Sequence, residues 1–437
     1  MFAQTIATRL GRHGVHYGWI IVAVTFFSAL CMAGAVGLPG AFILPFQKEF
    51  GWDPAQVSGA LAIRLLLFGL MAPFSAALIE RYGVRRIMLT AQMLVVAGLL
   101  GGLVMTQLWQ LVILWGVVIG FGTGLTALVL GAIVSARWFT ERRGLVVGIL
   151  TAAMATGQLT FLPLAAWLID HVGWRMAVVP PAVGIVAAAL LTLLFMRDRP
   201  SDVGLAPLGE AVRPVASAPP APAASGGIVG TAFGNLAMAS RQLNFWLLAG
   251  TFAICGLSTA GLVQTHFIPL CVDQGMSAVE GASMLAVMGA FDFVGTILSG
   301  YLSDRFDNRK LLFWYYGLRG LSLLWLPYST FTIYGLSLFV VFYGLDWIAT
   351  VPPTVKLTAQ TYGREKAGLV FGWIFAAHQI GSAVAAFAGG AVRSAYANYL
   401  PAFFVAGLLC LVAAVLVLLI GRQWRAAEPA AEGTVRA

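Results

Sequence analysis

The chain has 437 residues, of which 60% are hydrophobic and only 10% charged, with a formal net charge of +9. Its mean hydropathy is +0.88. Soluble domains carry roughly 25% charged residues, so the composition excludes a soluble globular fold, a disordered chain, collagen and a disulfide scaffold, and describes a polytopic membrane protein.

A bilayer core needs about 20 apolar residues per helix. Twelve stretches meet this, at 17–42, 54–79, 86–105, 109–135, 143–169, 174–196, 244–270, 279–303, 310–328, 332–358, 366–392 and 398–421. The first is too long for a signal peptide and has no small-residue cleavage site, so it is expected to stay as the first span. Glycine and proline clusters such as Gly34 to Pro39 and Gly120 to Gly124 fall inside spans, where neighbouring helices can re-satisfy the backbone. Small residues also allow close helix approach.

With the N-terminus inside, 20 of the 26 Lys and Arg residues fall on the cytoplasmic side, 3 outside (Lys48, Arg175, Arg393) and 3 within spans (Arg64, Arg319, Lys356). This bias sets the orientation. It also accounts for the basic balance without nucleic acid. Residues 197–243 contain Pro207, Pro214, Pro219, Pro220 and Pro222 among Ala, Ser and Gly, and read as a flexible cytoplasmic linker. A short interfacial helix is expected near Thr231 to Asn244. The organisation is thus an N-terminal six-helix bundle (1–196), a linker (197–243), a C-terminal six-helix bundle (244–421) and a cytoplasmic tail (422–437).

The two bundles match at a fixed offset of 224. Cys31 aligns with Cys255, Gly37 with Gly261, Pro45 with Pro269, Gly51 with Gly275 and Gly120 with Gly344. Glu141, Gly144, Leu145, Val146 and Gly148 align with Glu365, Gly368, Leu369, Val370 and Gly372. Parallel repeats of this kind mark transporters that bind substrate between their halves. The remaining cysteines, Cys271 and Cys410, complete no metal-ligand or CxxC spacing, so no metal or disulfide framework is expected.

Two aligned loops carry a motif: Ala76-x-x-x-Glu80-Arg81-x-Gly83-x-Arg85-Arg86 and Gly300-x-x-x-Asp304-Arg305-x-Asp307-x-Arg309-Lys310. They resemble the G-x-x-x-D-R/K-x-G-x-R/K-R/K loop of the major facilitator superfamily, with Ala76, Glu80 and Asp307 as departures. The resemblance implies an all-α polytopic fold of twelve transmembrane helices in two pseudo-symmetric six-helix bundles, working by alternating access. Helix C-termini favour cations, so Glu80 and Asp304 need partners there. Each is expected to bond a neighbouring Arg or a helix N-terminus across the seam between the halves, as family members do. This makes Glu80, Arg81, Arg85, Asp304, Arg305 and Arg309 gating residues.

Tyr17-Gly18-Trp19, Pro45 to Trp52, and Ala136-Arg137-Trp138-Phe139-x-x-Arg142-Arg143-Gly144 resemble the monocarboxylate transporter group and the related oxalate:formate antiporters. Monocarboxylate transporters have an Asp eight residues before the span-eight motif Gly, and Asp292 stands there. Their Arg four residues later is Thr296 here. No Lys occurs in the outer half of span one, where the sequence is Leu38-Pro39-Gly40-Ala41. The span-eleven Lys of the oxalate antiporters, six residues after the motif Gly, is His378 here. The resemblance therefore implies a small monocarboxylate rather than a dicarboxylate.

Ionisable residues at membrane depth are functional hypotheses by default. Asp292 lies twelve residues before Asp304, roughly 18 Å along the helix, near the midplane. It suits a proton carrier, or a structural partner of Arg319. His378 shares that depth and can exchange a proton near neutral pH, or pack as a hydrogen-bonded histidine. Arg64 can clamp a carboxylate, or bond a backbone carbonyl. Arg319 and Asp346 are expected to form a structural pair, because an unpaired buried charge is costly. Lys356 can snorkel to the cytoplasmic interface. Tyr343, Trp347 and Trp373 are cavity walls or packing.

The expected function is secondary active transport of a small organic anion across the inner (cytoplasmic) membrane, by proton symport or anion exchange, in a monomer with both termini cytoplasmic. Asp292 and His378 are the expected proton-coupling residues; Arg64, Thr296 and His378 the expected substrate ligands. No ATP-binding loop, nucleophile–base pair or metal cluster is apparent, so neither a cofactor nor an enzyme activity is expected. Drug or amphipathic-solute efflux is the competing reading, and a non-transporting sensor a weaker one. Externally added thiol reagents should miss a single cysteine reporter at position 215 and label one at position 173; the reverse pattern overturns this orientation.

Overall fold

The structure, a computed structural model, describes residues 2–126, 129–210 and 227–421. The tail 422–437 and the linker prolines from Pro214 to Pro222 lie outside the described residues. Among the described residues the regular structure is helical, apart from one isolated bridge between Phe139 and Leu208. Lipid supplies no partners for the backbone, and a helix satisfies its own.

Among the described residues the helices fall into twelve spans. In the N-terminal half, span one is Gly18–Gly37 with Pro39–Phe50, span two Pro54–Tyr82, and span three Val84–Gly102. Span four runs through Leu108–Leu111, Val112–Val118, Ile119–Gly124 and Val129–Trp138; spans five and six are Arg143–His171 and Trp174–Phe195. In the C-terminal half, span seven runs through Leu243–Gly256, Leu257–Val263 and Gln264–Asp273, and span eight is Ala278–Arg305. Span nine is Asn308–Trp325, span ten Ile333–Asp346 with Val351–Tyr362, span eleven Arg364–Tyr396 and span twelve Leu400–Leu416. Ten of these meet the length and hydropathy for crossing a membrane. Span four, with its shorter apolar helix Leu108–Gly124, and span nine, diluted by Arg309, Lys310 and Arg319, complete the twelve.

Local chemistry sets the ends. Span two opens on a capping box: Asp53 accepts from the Ala55 amide at 3.1 Å and Gln56 accepts from the Asp53 amide at 3.0 Å. Ser277 and Glu280 do the same for span eight. Span one outruns its apolar stretch because Pro39 sits at the first position of a new helix, where its missing N–H costs nothing.

Glycines set the packing. Gly116 and Gly120 on span four lie against the backbones of Ala60 and Arg64 on span two, and Gly124 lies against Met71. A side chain at Gly256 of span seven would overlap the His378 carbonyl of span eleven, and one at Gly295 of span eight would overlap Leu345 of span ten. Membrane helices associate through such small-residue contacts. The two halves meet along span two with span eleven and span five with span eight. At the end remote from the linker, Gly40 of span one packs on the carbonyls of Gln264 and Thr265 of span seven, and Ser394 donates to Asp53.

The segment read as a flexible linker is ordered at both ends. Residues after span six form a turn at Pro200–Val203, and Leu208 then exchanges backbone hydrogen bonds with Trp138 and Thr140. The expected interfacial helix lies at Ile228–Ala239, a few residues earlier than read. It bridges the halves: Trp373 Nε1 of span eleven donates to the Ala232 carbonyl at 2.9 Å, and Phe233 contacts both Trp373 and Phe74 of span two. These few buried contacts supply what composition lacked. A further helix, Phe2–Arg12, went unread because its apolar face is only three turns long. It buries Ala3 and Ala7 and packs on the Pro200–Val203 turn.

Candidate functional site

Four spans depart from a regular α-helix, and the repeat relates them. Span one loses helical hydrogen bonding only locally at Leu38, which keeps helical dihedrals before Pro39, and its repeat partner, span seven, widens into a π-helical segment at Leu257–Val263. Span four carries the π-helical segment Val112–Val118, and its partner, span ten, breaks between Asp346 and Val351. Spans two, five, eight and eleven, which form the seam, run without a break. Irregular backbone at membrane depth is tolerated where it is buried in protein or lines a cavity, and it marks transporter sites.

The break in span ten is held by side chains from three other spans. Pro353 has no N–H, so the Ala349 carbonyl loses its helical donor; Ser299 Oγ of span eight donates to it at 2.5 Å. The Asp346 and Trp347 carbonyls accept from Arg319 Nη2 of span nine, at 2.5 and 3.0 Å. The Ile348 amide donates to Asp292 Oδ1 of span eight at 2.8 Å, in place of the Gly344 carbonyl, which the Trp347 amide has taken. Thr296 Oγ1 donates to the same Asp292 oxygen at 3.1 Å.

Arg319 is itself fully engaged. Its Nε donates to Asp346 Oδ2 at 2.6 Å and its Nη1 to Cys255 Sγ of span seven at 2.9 Å, while Cys255 also meets Thr350 Oγ1 at 3.2 Å. The Arg319 side chain is 0% exposed, so this guanidinium is a strut within the C-terminal half. Asp292 bonds the break and Thr296 rather than Arg319.

The other intramembrane candidates are placed differently. Arg64 Nη1 donates to the Val36 carbonyl at 3.0 Å, just before Leu38 in span one, while its Nε is buried without a partner. His378 lies between Phe252 and Phe375, with ring centroids at 4.6 and 5.6 Å, and its Nδ1 is likewise buried without a partner. Gln379 Oε1 beside it is a third such atom. Buried polar atoms are nearly always hydrogen-bonded, so each of these orphans, like others such as His266 Nδ1 and Asp346 Oδ1, is a place where a ligand or water could complete the set. Thr296 is turned to Asp292. Tyr343 donates to the Ser258 carbonyl at 2.7 Å and Trp347 packs against Tyr343 at 5.8 Å, so both wall the C-terminal core.

On the linker side, Glu80 meets Arg137 of span four at 3.7 Å, and Asp304 accepts from Lys356 of span ten at 2.8 Å. Glu80 thus meets an Arg, one of the partners expected for it, while Asp304 meets a Lys; neither pair crosses the seam. Arg81 lies over the Tyr82 ring at 5.5 Å and Arg305 over the Tyr301 ring at 4.2 Å. The Arg85 amide donates to Asp198 Oδ1, and Arg309 donates to both oxygens of Asp307. The hydrogen bonds from Arg309 hold the Asp307 carboxyl below the usual carboxylate range.

Residues 25–386 match the model of the Major Facilitator Superfamily. The chain belongs to this superfamily. A relative from Bacillus subtilis, the uncharacterised superfamily transporter YcxA, is 28% identical over 379 residues, covering 85% of this chain and 87% of the relative. Monocarboxylate transporter 13 of Bos taurus is 26% identical over 398 residues, covering 90% and 87%. The crystal structure of a D-xylose–proton symporter superposes with a TM-score of 0.68 at 13% identity, covering 92% of this chain and 97% of that one. The protein is a multi-pass membrane transporter of the major facilitator fold.

Several residues around this transporter's span-ten break carry no sequence signal. Ser299 and Cys255 look like ordinary small residues of an apolar span, and Thr350 like a loop-forming neighbour of Pro352. Asp198 looks like a linker charge. The one sequence signal for the break is the Pro352-Pro353 pair, which frees carbonyls one turn earlier; the apolar run length that gives 332–358 as one continuous span takes no account of it. Ser299→Ala should leave the Ala349 carbonyl orphaned and cost about 1–3 kcal/mol. Adding Pro353→Ala restores the missing amide and should recover most of that loss. A double-mutant cycle of melting in detergent reads this, and strictly additive effects would refute the assigned hydrogen bond.

Proposed function

We propose that this transporter moves a small organic anion, a monocarboxylate, with the linker side facing the cytoplasm, and that Asp292 carries the coupled proton. One observation carries the reading. Asp292, a carboxyl 8% exposed at membrane depth, caps the amide at the break in span ten. Its charge is thereby tied to the conformation of an interrupted span. An ionised carboxylate makes the stronger, charge-assisted bond to Ile348. A protonated one holds span ten less firmly, which links proton binding to movement of that span.

The orphaned nitrogens of Arg64 and His378 are the proposed anion ligands, with the Thr296 hydroxyl beside the proton site. These can hold one carboxylate but neutralise two charges poorly. The monocarboxylate transporters among the relatives support the same class. The linker-side charged loops, through Glu80, Arg81 and Arg85 and through Asp304, Arg305 and Arg309, are proposed to exchange partners as the halves rock about the seam, acting as gates. The halves are taken as 1–196 and 244–421, and the unit as a monomer. Drug efflux is the alternative if no carboxylate is recognised.

Asn at position 292 can still accept the Ile348 hydrogen bond but carries no proton between states. In proteoliposomes, Asp292→Asn should abolish uptake driven by a pH gradient while anion counterflow stays measurable. Full pH-driven uptake in the variant would assign the proton elsewhere. His378→Ala should weaken carboxylate binding by about tenfold or more, the worth of one hydrogen bond to a charged group. Anion affinities unchanged between about pH 5.5 and 8 would remove His378 from the site and favour efflux.

A further inference from the structure

The loops after spans two and eight are repeat partners, yet they dispose of their charge in opposite ways. One difference lies at Gly83 in the first loop and Asp307 in the second; another is Arg137, whose repeat counterpart is Thr361. In the second loop Asp307 caps span nine: its Oδ1 accepts from the Arg309 amide at 2.9 Å and Nε at 3.1 Å, and its Oδ2 from Nη2 at 2.7 Å. The Arg309 charge is closed within its own loop.

Gly83 has φ of +87° and no side chain to do this. The start of span three is capped instead by Asp198, from the stretch after span six, which accepts from the Arg85 amide at 2.9 Å. Among the described residues the Arg85 guanidinium meets no carboxylate. Its Nη2 donates to the Leu193 carbonyl at 2.5 Å, and its Nε is buried without a partner. The result is a cleft of about 420 Å³ lined by five arginines (Arg81, Arg85, Arg86, Arg137 and Arg199) against two carboxylates, Glu80 and Asp198. Glu80 only approaches Arg137, at 3.7 Å, with most of its own side chain in solvent.

Directly below the cleft, Leu190, Leu193 and Leu194 of span six point outward, 57%, 47% and 47% exposed. A basic cleft above an outward-facing apolar strip matches a charged headgroup with its acyl chains. Arginines bind phosphate through paired donors, and basic pockets between spans take phosphate-bearing lipid headgroups. A plain positive-inside loop accounts for the number of arginines. It does not account for their convergence on one cleft in one half while the partner loop closes Arg309 onto Asp307.

We propose that this cleft binds a phosphate group, carried by an anionic lipid of the leaflet on the linker side, and that the repeat-related loop after span eight does not. The reading is independent of substrate and proton coupling, because its test measures binding alone.

The test is lipid retention by the full-length protein in native mass spectrometry, titrated with phosphatidylglycerol against phosphatidylcholine. Wild type should retain one phosphatidylglycerol preferentially. Arg86→Gln with Arg199→Gln, both in the cleft rim, should weaken that retention by about thirtyfold. Arg305→Gln with Lys310→Gln should leave it unchanged. Asp307→Gly, which frees Arg309, should add a second retained lipid. Equal losses from both pairs would show diffuse attraction to basic loops and overturn the proposal, as would a phosphatidylcholine preference. A melting arm with inorganic phosphate alone separates the sources. Protection by inorganic phosphate equal to that by lipid, lost in the Arg86 and Arg199 variant, would keep the phosphate site but overturn its assignment to lipid.

Discussion

The backbone of span ten between Asp346 and Val351 has to be satisfied without water, and much of the C-terminal half is arranged around that need. An unpaired carbonyl or amide in this setting costs several kcal/mol. Pro352 and Pro353 remove two donors, and the turn before them releases further groups. Arg319, Ser299 and Asp292 supply the replacements from spans nine and eight. A fully buried arginine is then the cost of an interrupted helix, and Asp346 is present to neutralise it. Such a pair adds little net stability over an apolar equivalent, but losing one partner strands the other. The pair therefore holds the break in one defined shape.

That arrangement explains why Asp292 differs from the other intramembrane charges. Arg319 is fully bonded, to Asp346 Oδ2, to Cys255 and to the span-ten backbone, whereas Asp346 keeps one buried oxygen, Oδ1, without a partner. Asp292 has no cation bonded to it; its partners are an amide and a hydroxyl, both of which tolerate a change in its protonation. A charge held only by neutral donors can be titrated without stranding an opposite charge. Arg64 stands near Leu38 of span one in a similar position, bonded to a carbonyl with one nitrogen left over.

The two halves are copies in plan but not in detail. Both make the same pair of spans irregular, and both keep a charged loop after their second span. Their differences are single residues with local consequences. Gly83 in one loop, where the other has Asp307, decides whether an arginine is free or neutralised. The helix Ile228–Ala239 breaks the symmetry further, since it ties span two to span eleven on one side of the membrane only.

Twelve spans, the repeat and the motif loops were legible in the sequence because each rests on a local property: apolar run length, identity at a fixed offset, or charge between runs. Asp292, Arg319 and Asp346 stood out too, because a charge in an apolar run is visible without coordinates. Most of their partners did not. Whether Asp292 meets Arg319 or the Ile348 amide depends on the rotation of spans eight, nine and ten about their axes, and tertiary packing sets those rotations through contacts such as Gly295 on Leu345. Ser299, Cys255 and Asp198 acquire their roles only from what stands opposite them. The ordered ends of the linker were missed for the same reason: a stretch too polar to fold alone is held by a few buried contacts with elements distant in sequence. Composition and periodicity determined which segments cross the membrane, and the meeting of distant spans decided which buried groups are satisfied and which are left open.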